Sequence, residues 1–457
     1  FLANSEIRKK IKKVKKKNKQ INIKKQNSII ENLNFSLTID QKKSLNEINK
    51  DLGSSNKMFR LLQGDVGSGK TIVSLLAALN TINSGFQVAF MAPTEILARQ
   101  HFNLAKKIFT HNLNLELISG KSEYKKKKEI LLKLATNKID IIFGTHAIFQ
   151  KKVIFKKLGL IIIDEQHKFG VSQRKKLSDK GGIDCDVLLM TATPIPRTLT
   201  MTIYGDMDIS IIREKPKNRK PIKTYSKLES KIGDVLKYLN KEIKLGNQIF
   251  WVCPLIEESN KLDHSSAVKK FEYLKKIFPN QVSLLHGKTD PEEKNIILNN
   301  FLQNKFKILV STTIIEVGID FPNANVIVIE NANKFGLAQL HQLRGRVGRG
   351  DRQAVCLLLF KESLSKNAIK RIKILKTSDD GFFIAEEDLK LRGFGDLIGF
   401  QQSGLKNFKF ADPFIHNDLF KLAEKYILGM HSNINQKKYS FLLKLFDKAE
   451  IINLKET

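Results

Sequence analysis

The sequence predicts an α/β protein: two tandem domains built on parallel sheets, followed by a helical hairpin and tail. Three observations predict it. The 457-residue chain is long for one hydrophobic core, because cores stop growing near roughly 250–300 residues. Short apolar runs alternate with helical stretches from residue 36 to residue 361, the rhythm of parallel strands covered on both faces by helices. A glycine-rich loop, Gly64 to Thr71, joins an apolar strand to an apolar helix, the order that the phosphate site of a P-loop NTPase requires.

Residues 1–35 form a basic segment with eleven Lys or Arg between residues 8 and 25. It reads as a helix or arm on the first domain, or as a linker to a domain outside the chain. Residues 36–212 form the first domain, with strands expected at Met58–Gln63, Gln87–Met91, Ile139–Phe143, Leu160–Ile163 and Val187–Met190. The second domain, residues 213–361, opens on the charged, proline-marked stretch Arg213–Pro221. Its strands are expected at Gln248–Val252, Val282–Leu284, Ile308–Ser311, Val326–Ile329 and Ala354–Leu359. From residue 362 to residue 457 the strand rhythm gives way to helical patterns, punctuated by glycine between Leu391 and Gly404.

The 79 Lys and Arg against 46 Asp and Glu leave a formal charge of +33, which points to a polyanionic partner such as nucleic acid. Part of that excess belongs to a general abundance of lysine on ordinary solvated helix faces. Cys185, Cys253 and Cys356 are isolated, which suggests neither a zinc site nor a disulfide framework. Apolar runs such as Leu160–Ile163 and Val326–Ile329 fall far below the ~18 residues of a membrane span. With no signal peptide in view, the expectation is a cytoplasmic protein.

Chemistry begins at Gly64, Asp65, Val66, Gly67, Ser68, Gly69, Lys70 and Thr71. The glycines permit tight backbone geometry, so amide N–H groups can face a phosphate at a helix N-terminus. Lys70 is expected to reach the β- and γ-phosphates of ATP, with the Thr71 hydroxyl completing a Mg²⁺ shell. Ninety-four residues after Lys70, the apolar run Leu160–Ile163 ends in Asp164 and Glu165. A central strand thereby delivers two carboxylates where open α/β sheets place ligands. Asp164 is expected to anchor Mg²⁺, and Glu165 to act as base or orient the attacking water. Gln41, upstream in the run Leu37–Gln41, can both donate to and accept from an adenine edge.

The order of motifs resembles that of superfamily 2 helicases, and most closely the RecG family of branch-migration translocases. The blocks carrying the resemblance are GDVGSGKT (64–71), MAPTEILARQH (91–101), GTHAIFQ (144–150), IIIDEQHKFGV (161–171), MTATPIPRTL (190–199), WVCPLIEES (251–259), STTIIEVGID (311–320) and FGLAQLHQLRGRVGRG (335–350). The resemblance implies two RecA-like lobes with ATP hydrolysed between them. It implies that Arg346 and Arg349 of the second lobe reach ATP bound by the first, and that His167, Thr191, Thr193, Asp320 and Gln342 couple phosphate state to DNA grip. By the same resemblance Thr94, Glu95, His146, Thr312 and Thr313 track DNA through its phosphates, and the motor works as a monomer on duplex and branched DNA.

Two further blocks, Gly381 to Gly393 and Gly399 to Gly404, resemble the translocation motif shared by RecG proteins and the transcription-repair coupling translocase. Arg392 and Gln402 are the positions expected to couple hairpin to lobe. Phe394 stands where the family commonly has proline, and Phe400-Gln401 replaces a Thr-Arg pair. RecG proteins also carry an N-terminal wedge domain that splits junction arms, and no such barrel fits the stretch before Gly64. The expected function is therefore an ATP-dependent duplex-DNA translocase that remodels stalled forks and Holliday junctions in recombination and repair. The alternatives are a motor fragment with translocation but no fork specificity, or the motor of a transcription-repair coupling translocase.

Overall fold

A computed structural model describes residues 15–109, 113–118, 124–150, 152–165, 182–194, 207–216, 220–254, 260–287, 289–312, 321–350, 352–361, 364–396, 416, 418–419, 422–423 and 425–426. Two parallel sheets form its centre. The first has seven strands: β1 (Phe59–Gly64), β2 (Gln87–Met91), β3 (Leu115–Ile118), β4 (Ile141–Gly144), β5 (Leu158–Ile163), β6 (Asp186–Thr191) and β7 (Asp208–Ile212). Their order is β3-β4-β2-β5-β6-β1-β7. The second has six: β8 (Lys223–Leu228), β9 (Gln248–Val252), β10 (Val282–Leu285), β11 (Ile308–Ser311), β12 (Ala324–Ile329) and β13 (Val355–Phe360), ordered β10-β11-β9-β12-β13-β8.

The inner strands explain the rhythm. Every residue of β2, β5 and β6 is buried, because helices cover both faces and neither face needs polar residues. Leu62, Phe90, Ile162 and Leu188 fill the core on one face of the first sheet, while Leu61, Ala89, Ile161 and Leu189 fill the other. The second sheet repeats this with Phe250, Ile327 and Leu358 on one face and Trp251, Val328 and Leu357 on the other.

Three strands depart from expectation, and each has a local cause. Strand β8 reads Lys-Thr-Tyr-Ser-Lys-Leu, with alternating exposed and half-buried residues. Paired only with β13, it is an edge strand and carries no apolar run. Strand β3 is four residues long at the opposite edge of the first sheet, and β7 begins with an aspartate at the other edge.

The basic N-terminal segment, from Lys15 onward, belongs to the first lobe. Helix α1 (Ile23–Glu31) is started by Asn22, whose side chain accepts from the Lys25 amide. Ile21, Ile29 and Ile30 pack against the core. Lys16 and Lys19 both place Nζ 2.6 Å from Asp186 Oδ2, all three side chains fully buried, and Asp186 Oδ1 accepts from the Met58 amide at 2.7 Å. These two lysines hold the arm to the sheet and are not available to a polyanion.

The remaining helices of the first lobe are α2 (Ile39–Gly53), α3 (Lys70–Asn83), α4 (Glu95–Ile108) and α5 (Tyr124–Ala135). Helix α2 begins with a reciprocal capping box between Thr38 and Gln41. The second lobe carries α6 (Ile232–Lys244), α7 (Asn260–Ile277), α8 (Pro291–Leu302) and α9 (Leu337–Arg344). Helices α10 (Lys366–Thr377) and α11 (Gly381–Asp396) follow β13. Ile372, Leu375 and Ile384 join the core of the second lobe, so both helices pack on it. Among the described residues no helix is long and apolar enough to cross a membrane.

Candidate nucleotide site between the lobes

The glycine-rich loop leaves β1 at its C-terminal end and enters α3 at Lys70. Gly67 and Gly69 have φ of 75° and 83°, left-handed values that side chains rarely adopt. A Cβ on Gly69 would also collide with the Gln41 side chain. Lys70 is buried and donates from Nζ to the Gly64 and Asp65 carbonyls at 2.9 Å each, holding the loop as a closed ring. Burial lowers the pKa of its ammonium, against the opposing pull of Glu165, Asp164 and Asp65. The Gln41 amide donates to the Ser68 carbonyl at 2.9 Å and accepts from the Thr38 amide at 2.9 Å. In this conformation it braces the loop from behind.

Asp164 and Glu165 follow the last residue of β5. The Asp164 amide donates to Met91 O on neighbouring β2. Glu165 has φ of 51°, a left-handed conformation that costs a non-glycine residue about 1–3 kcal/mol. Both carboxylates line the same cavity as Lys70 and Thr71 of the loop. Glu165 Oε2 accepts a long hydrogen bond from the Ala192 amide at 3.4 Å, and Asp164 Oδ1 accepts from the Glu165 amide at 3.0 Å. Asp164 Oδ2 lies 2.9 Å from Nε2 of His101. Burial would raise the Asp164 pKa, but His101 and Lys70 outweigh it and hold the carboxyl below its ordinary value. His101 is a partner that sequence reasoning did not single out. Its only signal was a polar residue on the buried face of α4, and only the docking of α4 beside β2 and β5 gives that residue a role.

The second lobe closes this site. A cavity of about 430 Å³ is lined by Lys70 and Thr71 from the loop, Asp164 and Glu165 from β5, and Arg346 and Arg349 from the turn after α9. Four residues before Arg346, the contact becomes direct. Gln342 Nε2 donates to Thr193 Oγ1 at 3.0 Å, while the Thr191 hydroxyl accepts from the Thr193 amide at 3.2 Å. Two of the proposed coupling residues thus touch across the lobes.

Asp65 faces away from the 430 Å³ cavity. Its Oδ1 accepts from the Val66 amide at 2.7 Å and meets His341 Nε2 at 2.8 Å, and its Oδ2 lies 3.0 Å from Lys215 Nζ in the interlobe connector. Burial would raise its pKa, but His341 and Lys215 together hold the carboxyl well below the carboxylate range. Arg344 donates from Nη2 to His341 Nδ1 at 2.9 Å, and from Nη1 to Leu375 O at 2.6 Å and Ser378 O at 2.9 Å. Neither Lys215, His341 nor Arg344 was expected. Lys215 and His341 reach Asp65 across more than a hundred residues of sequence, which leaves no local pattern, and Arg344 acquires its place only through His341 and the end of α10.

The expected DNA-tracking residues occupy strand ends. Thr94 caps α4, its hydroxyl accepting from the Leu97 amide. Glu95 lies 3.4 Å from Arg99, His146 is exposed at the start of a short 3-10 turn, and Thr312 is buried just past β11. His167, Thr313, Asp320 and Gln402 lie outside the described residues, and Arg392 falls in α11 without a described side chain.

Two parallel-sheet lobes with a P-loop on one and paired arginines on the other define the core of a two-lobed helicase-type P-loop NTPase. Residues 38–202 match the family model "DEAD/DEAH box helicase", residues 230–351 "Helicase conserved C-terminal domain" and residues 378–438 "ATP-dependent DNA helicase RecG, domain 3, C-terminal". The chain belongs to the RecG family of ATP-dependent DNA helicases. It is 48% identical to the Bacillus subtilis RecG helicase over 84% of its own length and 56% of that protein's. With the Thermotoga maritima RecG helicase it is 48% identical over 86% of its own length and 50% of that protein's. The solved structure of RecG bound to a three-way DNA junction superposes with a TM-score of 0.78 at 43% identity, over 92% of this chain and 55% of that one. The chain thus spans about half the length of the relatives it matches.

Proposed function

We propose that this chain is the motor of an ATP-dependent DNA translocase that remodels branched DNA, with duplex DNA as its track and ATP as its fuel. The observation that carries this reading is the shared cavity, in which Lys70, Thr71, Asp164 and Glu165 from one lobe face Arg346 and Arg349 from the other. Lys70 would exchange its two carbonyl partners for the phosphates. Glu165 would orient and deprotonate the attacking water. Arg346 and Arg349 would stabilise charge on the transferring phosphoryl group only when the lobes are closed, which ties hydrolysis to lobe movement and hence to alternating grips on DNA.

Mg²⁺ fits the residues present. Among the described residues no group of three or more His, Cys, Asp or Glu could hold a metal by itself. Mg²⁺ in NTPases is held by one or two protein oxygens plus phosphates and water. The Thr71 hydroxyl and Asp164 would hold it in the cavity, where it would neutralise charge on the phosphates.

In the proposed motor Gln342, Thr191 and Thr193 pass the closed state to the DNA face, and α10 and α11 with the blocks around Arg392 and Gln402 convert it into pushing on the duplex. The test compares ATP turnover of the 457-residue chain on linear duplex, single-stranded and forked DNA, together with displacement of a third strand from a triplex. Duplex-stimulated turnover with triplex displacement is the expected result. Stimulation by single strands alone would overturn duplex translocation, and equal rates on linear and forked duplex would confine junction recognition to sequence beyond this motor.

A further inference from the structure

Asp65 lies inside the phosphate loop, yet its carboxylate points to the second lobe. It is almost fully buried, and its two oxygens are committed to the Val66 amide, His341 and Lys215. His341 has a fixed tautomer. An arginine N–H can only donate, so the Arg344 Nη2 contact makes His341 Nδ1 the acceptor. The ring proton therefore sits on Nε2 and is donated to Asp65.

The contact borders a cavity of about 300 Å³ on the side of Lys215 and Arg344, and is crowded on the side of Gly381 and Gly345. A Cβ at Gly381, the first residue of α11, would stand 2.8 Å from His341 Nε2 and 2.9 Å from both Asp65 Cγ and Pro194 Cγ. A Cβ at Gly345 would stand 3.2–3.4 Å from the Val66 side chain. The loop of the first lobe, the end of α9 and the start of α11 therefore meet at one tightly packed point. Arg346 and Arg349 follow His341 by five and eight residues, beyond the end of the same helix.

We propose that Asp65 is a positioning residue: by gripping His341 it sets the depth and rotation of α9, and thereby places Arg346 and Arg349 over the phosphates held by the other side of its own loop. This rests on the reading that the two arginines act on ATP. One loop then serves two partners. Its lysine side binds nucleotide and its aspartate side seats the lobe that completes the site, so the loop geometry and the arginine geometry are fixed together.

The test uses Asp65→Ala, His341→Ala, the double variant and His341→Gln in the full 457-residue chain. DNA-stimulated kcat and the dissociation constant of a fluorescent ADP are measured for each. The expected loss for either alanine variant is about 10- to 100-fold in kcat, the scale of a misplacement near 1 Å, with nucleotide affinity within about threefold of the parent chain because the phosphate-binding face is untouched. The double variant is expected to be no worse than the poorer single one. His341→Gln, whose amide can both donate to Asp65 and accept from Arg344, is expected to recover most of the rate. Unchanged kcat, additive losses, or nucleotide affinity falling in step with kcat would each overturn the proposal, the last by returning Asp65 to the binding face. A parent chain that binds nucleotide without turning it over would instead overturn the reading of the arginines on which it rests.

Discussion

Among the described residues, two contacts between the lobes lie on opposite sides of one loop and are built differently. On the Lys70 side they face each other across a cavity of about 430 Å³. On the Asp65 side they touch directly, through His341 on Asp65 at 2.8 Å and Gln342 on Thr193 at 3.0 Å. The first contact needs a ligand to bridge it, whereas the second is complete in the protein alone. The difference teaches that lobe docking and phosphate chemistry can be perturbed separately, although six residues of sequence, Asp65 to Lys70, carry both.

The largest effect is expected on the cavity side. Lys70→Ala removes the buried ammonium proposed to bind the phosphates and is expected to abolish nucleotide binding. Glu165→Gln keeps the shape of the site and is expected to retain nucleotide while losing turnover. Equilibrium binding with single-turnover hydrolysis separates the two, and rapid hydrolysis by Glu165→Gln would remove its proposed role.

Next come Arg346→Ala and Arg349→Ala. Each is expected to cost about 3–4 kcal/mol of transition-state stabilisation, or ~10²- to 10³-fold in DNA-stimulated turnover, with nucleotide affinity largely kept. Full turnover by either variant would show that its guanidinium does not act on the phosphoryl group.

A smaller effect is expected where α11 covers the docking side. Gly381→Ala introduces a methyl group against His341, Asp65 and Pro194, all three fixed, so the junction must shift by a few tenths of an ångström. Turnover is expected to fall about 3- to 10-fold, short of the ~10²-fold loss of a full 1 Å misplacement. No change would mean that the docking side tolerates movement and that the two contacts are less distinct than their geometry indicates.

The smallest effect on turnover is expected far from both. Asp186→Ala leaves Lys16 and Lys19 buried without their carboxylate. Removing one partner from a buried ion cluster costs about 3–5 kcal/mol, which denaturant unfolding would register. Turnover per folded molecule is expected to stay at the parent level, and a loss there would connect the N-terminal arm to the interlobe contacts.

The sequence by itself determined whatever is local. The P-loop was legible because its glycines, Lys70 and Thr71 must be adjacent for backbone amides to surround a phosphate. The position of Asp164 and Glu165 was legible because a buried strand is an uninterrupted apolar run, and the two carboxylates mark where it ends. The inner strands were legible for the same reason, while β8 was not, because an edge strand exposes one face and loses the run. Tertiary structure alone decided the pairings. His101 meets Asp164 because β2 and β5 are neighbours in the sheet and α4 follows β2. Asp65 meets His341 only because the lobes dock, across 276 residues of chain. Charge was equally undecided by composition: Lys16 and Lys19 read like the other lysines of a basic segment, and burial against Asp186 turned them into an internal clasp. A residue's type and neighbours fix the interactions it is capable of, but which partner it reaches depends on strand order and lobe contact, and those are set by the burial of the whole chain.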